Sequence, residues 1–338
     1  MAIINDVLFR DNLGDNGSLP SHGSYCGSPD IIVHTDVGDP DTFFKDNYDA
    51  YVTEAVDKKS RINYIYTRVK NVSSNEIKGR LQVYASGASL FMYPSKWLNN
   101  ILYTPEDESG DKYSFAEFDA QPGSIAVGGK PLILSGVDNT NFCLVGIACD
   151  EKGPELTTDF NSYSDFVTWI HENRGVCLRN MTARNISELK DFEASYSLEN
   201  PFDSEPPAAS LYIDVSDVVV GTVYGIECKA LNIGGPDSEW TAKETSEHKG
   251  VVITLPANFN GAVKVYAKLP SGTSVWPANA RVRIETWIGV TAQETAFRYG
   301  KAVHEILDNC DDLKLANFAN SGGRLVKIGE CGMVTVDK

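Results

Sequence analysis

Arg61-Ile62-Asn63-Tyr64-Ile65-Tyr66-Thr67-Arg68-Val69-Lys70 decides how the rest of the chain is read. Ile65, Thr67 and Val69 fall on one side of an extended backbone; Tyr64, Tyr66, Arg68 and Lys70 fall on the other. Asn71-Val72-Ser73-Ser74-Asn75 is a turn cluster, and Arg80-Leu81-Gln82-Val83-Tyr84-Ala85 alternates again, so the two runs read as a hairpin-like pair. Upstream, Ile31-Ile32-Val33 follows Pro29-Asp30 as a short strand. Downstream, Gly128-Gly129-Lys130-Pro131 breaks the chain before Leu132-Ile133-Leu134. Phe142-Cys143-Leu144-Val145-Gly146-Ile147-Ala148 is a continuous apolar run, as in a strand covered on both faces. Short strands parted by Gly, Pro and Asn turns indicate an antiparallel β-sandwich rather than a parallel α/β sheet.

The period then changes. Phe160, Tyr163, Phe166, Val167 and Ile170 trace one stripe of a helix, with Asp159 as N-cap and Gly175 just past the end. A second β-region opens at Val176-Cys177-Leu178-Arg179-Asn180 and continues through runs starting at Ser210, Thr222, Gly250, Ala262 and Arg281. In the last, Val282, Ile284 and Thr286 oppose Arg281, Arg283 and Glu285. Residues 294–307 allow a helix, and Arg324 to Val336 reads as a hairpin around Gly329–Gly332. The expected fold is mainly β: two tandem immunoglobulin-like antiparallel sandwiches (28–152 and 176–290) joined by a short helix within 153–175. An extended N-terminal arm (1–27) and a C-terminal helix and hairpin tail (291–338) complete it.

The 338 residues suit two domains, and 30 basic against 46 acidic residues leave a formal charge of −16. That sign argues against nucleic acid and against an anionic membrane surface. No stretch is apolar enough for membrane insertion. The first residues, Met1 to Val7, carry neither a basic segment nor a long apolar run, so the expectation is a cytoplasmic protein as synthesised, with export inside a larger particle left open. The seven cysteines (26, 143, 149, 177, 228, 310 and 331) form no C-x-x-C pair and read as reduced, buried thiols.

Ser28-Pro29-Asp30-Ile31-Ile32-Val33, Asn63 to Asn71, Leu81-Gln82-Val83-Tyr84-Ala85 and Asn141 to Gly146 together resemble bacterial immunoglobulin-like adhesion modules of the CARDB type, over residues 28–150. Phe166 to Asn180 is similar to the segment that follows this module in multi-domain bacterial proteins. The resemblance implies a seven-stranded sandwich with no catalytic centre. The chain departs from it at residues 86–127, a long insertion holding Trp97 and an acidic loop from Pro105 to Asp111.

Chemical motifs are near-misses. Gly123-Ser124-Ile125-Ala126-Val127-Gly128-Gly129-Lys130-Pro131 has an extra glycine before the lysine and a proline where a phosphate loop needs a hydroxyl, so it reads as a turn. His171-Glu172 lacks the second histidine of a zinc helix, and a nucleophile pair of His171 with Cys177 is disfavoured by the helix end between them. Asp36, Asp39 and Asp41 are candidate oxygen ligands for calcium, the one cofactor the chain suggests; Asp308, Asp311 and Asp312 form a second acidic group. Trp97, Trp240 and Trp276 sit among polar neighbours and are candidates for a partner or sugar platform. The expected function is non-enzymatic adhesion or assembly through sandwich surfaces, with a protein partner or self-assembly, and with the arm and the C-terminal hairpin engaging neighbours. The rivals are a carbohydrate-binding or hydrolase site in the 86–127 insertion, and a calcium-stabilised extracellular module.

Overall fold

A computed structural model describes residues 3–52, 62–135, 141–153, 160–182, 191–306 and 312–334. The chain divides into two units. The first holds Met1–Gly87, Tyr93–Asp159 and Trp169–Arg184; the second holds Ala88–Met92, Phe160–Thr168 and Asn185–Lys338.

The first unit contains strands β1 (Val7–Leu8), β2 (Ile31–His34), β3 (Ile62–Asn71), β4 (Ile77–Gly87), β5 (Ala116–Ala120), β6 (Ile125–Val127), β7 (Leu132–Ser135), β8 (Asn141–Cys149) and β9 (Val176–Thr182), with helix α1 (Pro40–Asp46). β3 is the centre of one antiparallel sheet, paired with β1, β2, β6 and β7 along different parts of its length. The other sheet runs β5-β4-β8-β9. Ile65 and Val69 of the first sheet meet Leu81, Val83, Leu144 and Ala148 of the second in one apolar core, so this unit is a sandwich. β3 and β4 therefore do not form the expected hairpin. They lie in opposite sheets, and the Asn71 amide, donating to the carbonyls of Asn75 and Ala120, fastens the corner between them.

The N-terminal residues are not a free arm. Ile3 bridges Cys149, β1 pairs with Lys70 and Asn71, and Gly27 bridges Arg179. Val7, Leu8, Phe9, Tyr25 and Cys26 are buried. Phe9 fits because β8 carries Gly146: a Cβ there would lie 2.7 Å from the Phe9 ring. Asx turns do the rest, with Asn12, Asp15 and Asn16 accepting the amides of Gly14, Gly17 and Ser18. β9, expected to open the second sandwich, closes the first by pairing with β8 from Ile147↔Val176 onward.

The polar face of β3 is also covered. Arg68 is fully buried, as is Asp30, and Arg10 is nearly so. Asp30 accepts from Arg10 Nη2 at 2.6 Å and from Arg68 Nε at 2.8 Å. Arg68 also donates to the carbonyls of Phe44, Asn47, Tyr48 and Ala50, and Arg10 stacks 3.4 Å over the Tyr48 ring. Two guanidiniums on one carboxylate are thus completed by backbone dipoles, which satisfies the hydrogen-bonding demand of the buried charges. Burial pulls the Arg10 guanidinium down, and Asp30 outweighs it, so its pKa ends above the usual value.

Helix α2 (Tyr163–Glu172) matches the expected stripe: Phe160, Tyr163, Phe166, Val167 and Ile170 are all buried. Its expected N-cap, Asp159, lies outside the described residues. The second unit contains β10 (Asp191–Glu199), β11 (Ala209–Ser216), β12 (Val223–Glu227), β13 (Glu239–Thr241), β14 (Glu247–Ile253), β15 (Asn260–Lys268), β16 (Arg281–Val290), β17 (Lys301–Ala302), helices α3 (Val303–Ile306) and α4 (Leu313–Asn320), and β18 (Arg324–Val334). Its sheets are β10-β15-β12-β13 and β14-β11-β16-β18-β17. Phe192, Ala194, Tyr196, Val263, Val265 and Ile226 are buried in one, and Leu211, Ile213, Val215, Val282 and Ile284 in the other.

The C-terminal region belongs to this unit's framework. In place of a hairpin, β18 is one strand between β16 and β17, with its register shifted opposite Thr286/Trp287. The expected helix over 294–307 is a short 3-10 turn (Thr295–Tyr299), then β17 and α3; Leu307 lies outside the described residues. Val303, Ile306, Leu315 and Phe318 cover Tyr212, Trp287 and Leu325 on the outer face of the five-stranded sheet. The first residues of the 86–127 insertion also build this unit. Leu90 donates its amide to the Ser197 carbonyl at 2.8 Å, and the Phe91 ring lies 4.9 Å from Tyr163 and 5.0 Å from Phe166.

Candidate functional site

The candidate calcium ligands have other employment. Asp39 caps α1 by accepting from the Thr42 amide at 3.2 Å, and Asp41 pairs with Lys45 at 2.6 Å. Asp36 is exposed, close enough to help raise the Tyr66 hydroxyl, which burial raises first. Among the described residues, no group of three or more His, Cys, Asp or Glu side chains is placed to hold a metal ion. Asp312 caps α4 through the Leu315 amide; Asp308 and Asp311 lie outside the described residues.

Trp97 and Trp276 are buried, at 1% and 3% exposure, so neither offers a ring to a partner. Trp97 packs edge-on against Tyr84, 5.2 Å between centroids. Polar sequence neighbours do not make a tryptophan external; an indole under a loop is covered by residues distant in sequence. Trp240 is half-buried beside Tyr224.

His171, in the last turn of α2, has Nδ1 3.0 Å from both the carbonyl and the hydroxyl of Ser21, so Nδ1–H donates to the carbonyl. Cys177 lies in the sandwich core, where burial pushes its thiol well above the usual range, the reverse of what a nucleophile needs.

The surface feature with chemical variety is a groove beside edge strand β5 in the first unit. One concavity of about 400 Å³ is lined by Thr104, Tyr113, Phe115, Glu117 and Lys130 among others. A second, of about 440 Å³, is lined by Lys78, Arg80, Glu117, Asp119 and Glu151 among others, and the two share Glu117 and Gly129. The insertion and the Gly-rich turn build it from opposite sides. Tyr113 and Thr104 exchange backbone and side-chain hydrogen bonds of 2.8 and 3.0 Å. Asp107 closes the acidic loop by accepting from the Ser109 and Asp111 amides. On the far side Gly129 donates to the Glu117 carbonyl at 2.9 Å, and Lys130 follows it. Lys130 Nζ stands 5.6 Å from the Tyr113 ring centre, and the Arg80 guanidinium lies 3.9 Å over Phe115.

Two carboxylates at or beside the groove are held in the charged form. The Asp111 amide holds Asp107 below the ordinary carboxylate range, and the Lys78 ammonium does the same for Asp119. A general acid for glycoside hydrolysis needs the opposite shift. Tyr113, Phe115 and Lys130 were not singled out from the sequence as a surface. They come from two segments with no shared motif, and only the exposed alternation of Tyr113, Phe115 and Glu117 hinted at them.

No family model matches the chain, and no curated protein matches it. Solved structures with partial likeness include red sea bream transglutaminase (8% identity, covering 69% of this chain and 28% of that one, TM-score 0.20). They also include the calcium binding domain CBD12 of CALX1.1 (7%, 66% and 74%, 0.17) and the major pilin SpaD of Corynebacterium diphtheriae (9%, 76% and 59%, 0.21). The chain thus spans little more than a quarter of the transglutaminase and under two thirds of the pilin. No helix among the described residues is long and apolar enough to cross a membrane.

Proposed function

We propose that this chain is a non-enzymatic structural or interaction protein, acting through the surfaces and edge strands of its sandwiches in adhesion or in assembly of a larger bacterial or phage-like complex. The observation that carries this reading is the edge of the second unit's five-stranded sheet. There β14 pairs with β11 on one side along seven residues, Ala209↔Ile253 to Val215↔Glu247. Among the described residues it ends the sheet, and Glu247 to Val252 are half-buried or exposed. An edge of this length is a template for a strand from another chain, since its outward amides and carbonyls seek partners. The arm and the last strand, first expected to do this work, are consumed inside their own units.

Light scattering on the intact chain over a concentration series tests self-assembly. A mass rising above the 37.0 kDa of one chain is expected; a mass fixed at that value throughout would remove self-assembly from the proposal.

A further inference from the structure

We propose that the groove around Glu117 in the first unit binds a neutral saccharide, with Tyr113 as the stacking surface and Glu117 and Lys130 as the hydrogen-bonding rim. The shape comes first. Two open concavities of about 400 and 440 Å³, joined at Glu117 and Gly129, make an extended trough along β5. Each falls within the size range of small-molecule sites.

Chemistry selects the ligand. Tyr113 is 39% exposed and Phe115 is half-buried, with ring centres 5.7 Å apart. The exposed Tyr113 ring suits the C–H-rich face of a pyranose, while the Arg80 guanidinium covers Phe115. Sugar hydroxyls both donate and accept, and the trough offers both partners: an exposed Glu117 carboxylate and the exposed Lys130 ammonium. The charges of the lining cancel, Lys78, Arg80 and Lys130 against Glu117, Asp119 and Glu151. A locally neutral trough on a chain of −16 gives an anionic ligand no local countercharge to offset the repulsion of the whole chain.

Two further observations narrow the choice. The Glu117 carbonyl already accepts from Gly129, so an added peptide strand finds this backbone position taken. The Tyr113 loop is pinned by Thr104 and Asp107, so little ordering cost attends binding.

The inference goes beyond the assembly reading, because a monomer would bind equally well. Saturation-transfer NMR on the full chain with cellohexaose, maltohexaose, mannohexaose and chitohexaose, and with oligogalacturonate as the charged control, tests it. At least one neutral hexaose is expected to receive saturation. Tyr113→Ala is expected to weaken it tenfold or more at an unchanged melting temperature, and Tyr113→Phe to preserve it. Three outcomes would overturn the proposal: no transfer to any neutral hexaose at millimolar concentration, transfer undiminished by Tyr113→Ala, or transfer to oligogalacturonate alone.

Discussion

Gly329 of β18 faces the backbone carbonyl of Leu90 so closely that a methyl group on Gly329 would overlap the carbonyl oxygen. The glycine, read from sequence as part of a turn, is the gap through which a segment 239 positions earlier passes. Backbone cannot move aside as a flexible side chain can. Gly329→Ala is therefore expected to destabilise the second unit by several kcal/mol, at or beyond the ~1–3 kcal/mol of ordinary overpacking. Chemical denaturation followed by tryptophan fluorescence would show it, and a midpoint equal to wild type would refute the close packing.

Phe9 has the same relation to Gly146 in the first unit. Phe9→Ala is expected to cost about 3–5 kcal/mol, the range for an aromatic removed from a core. Deleting residues 1–27 removes Val7, Leu8, Phe9 and Arg10 together and should abolish cooperative folding of that unit. Hydrogen exchange on the truncated chain is the measurement; protected amides in β3 and β8 would contradict it.

Asp30 holds two buried guanidiniums. Asp30→Asn leaves Arg10 and Arg68 without a countercharge, and loss of one member of a buried ionic group costs about 3–5 kcal/mol. The companion variant Arg10→Met should cost less, since Asp30 keeps Arg68. Urea titrations of both variants rank them, and the reverse order would mean that the carbonyl contacts, not Asp30, carry the arginines.

Asp11 supplies a pH signature. Burial pushes its carboxyl well above the ordinary 3.8, with the Ser21 hydroxyl pulling the other way. A raised acid contributes fully below the unfolded value, about pH 3.8, and its contribution is lost as pH rises through the folded value. Asp11→Asn titrates in neither state. The variant is thus expected to gain stability over wild type across the interval between the unfolded value and the raised folded one. A difference in unfolding free energy that stays constant over that interval would rule out a buried, protonated Asp11.

What could be read from the residues were the strands themselves. The alternation at Ile62–Asn71, the apolar run at Asn141–Cys149 and the helical stripe from Phe160 to Ile170 all stand in the structure. Pairing was harder. Asn71 to Asn75 signals a reversal, yet nothing local says whether the returning strand joins the same sheet or the facing one. Two-residue β1 is too short to show a period, and its stability comes from Phe9 filling the space at Gly146. The burial of Arg68 could not be read locally, because its compensating carbonyls, from Phe44 to Ala50, form no side-chain pattern. The groove was hidden for the same reason as Trp97 was misplaced: which ring is covered depends on segments far apart in the chain.

The placement of Ala88–Met92 bears on how the protein is made. Leu90, Phe91 and Met92 are buried in the second unit, so they leave the ribosome long before β18 exists to cover them. Among the described residues, the first unit's last strand is complete once Thr182 has emerged, whereas the second unit's waits for Val334. Through that interval the nascent polypeptide carries a greasy tether out of a finished body, a natural target for chaperones and a point at which premature termination would release a sticky fragment.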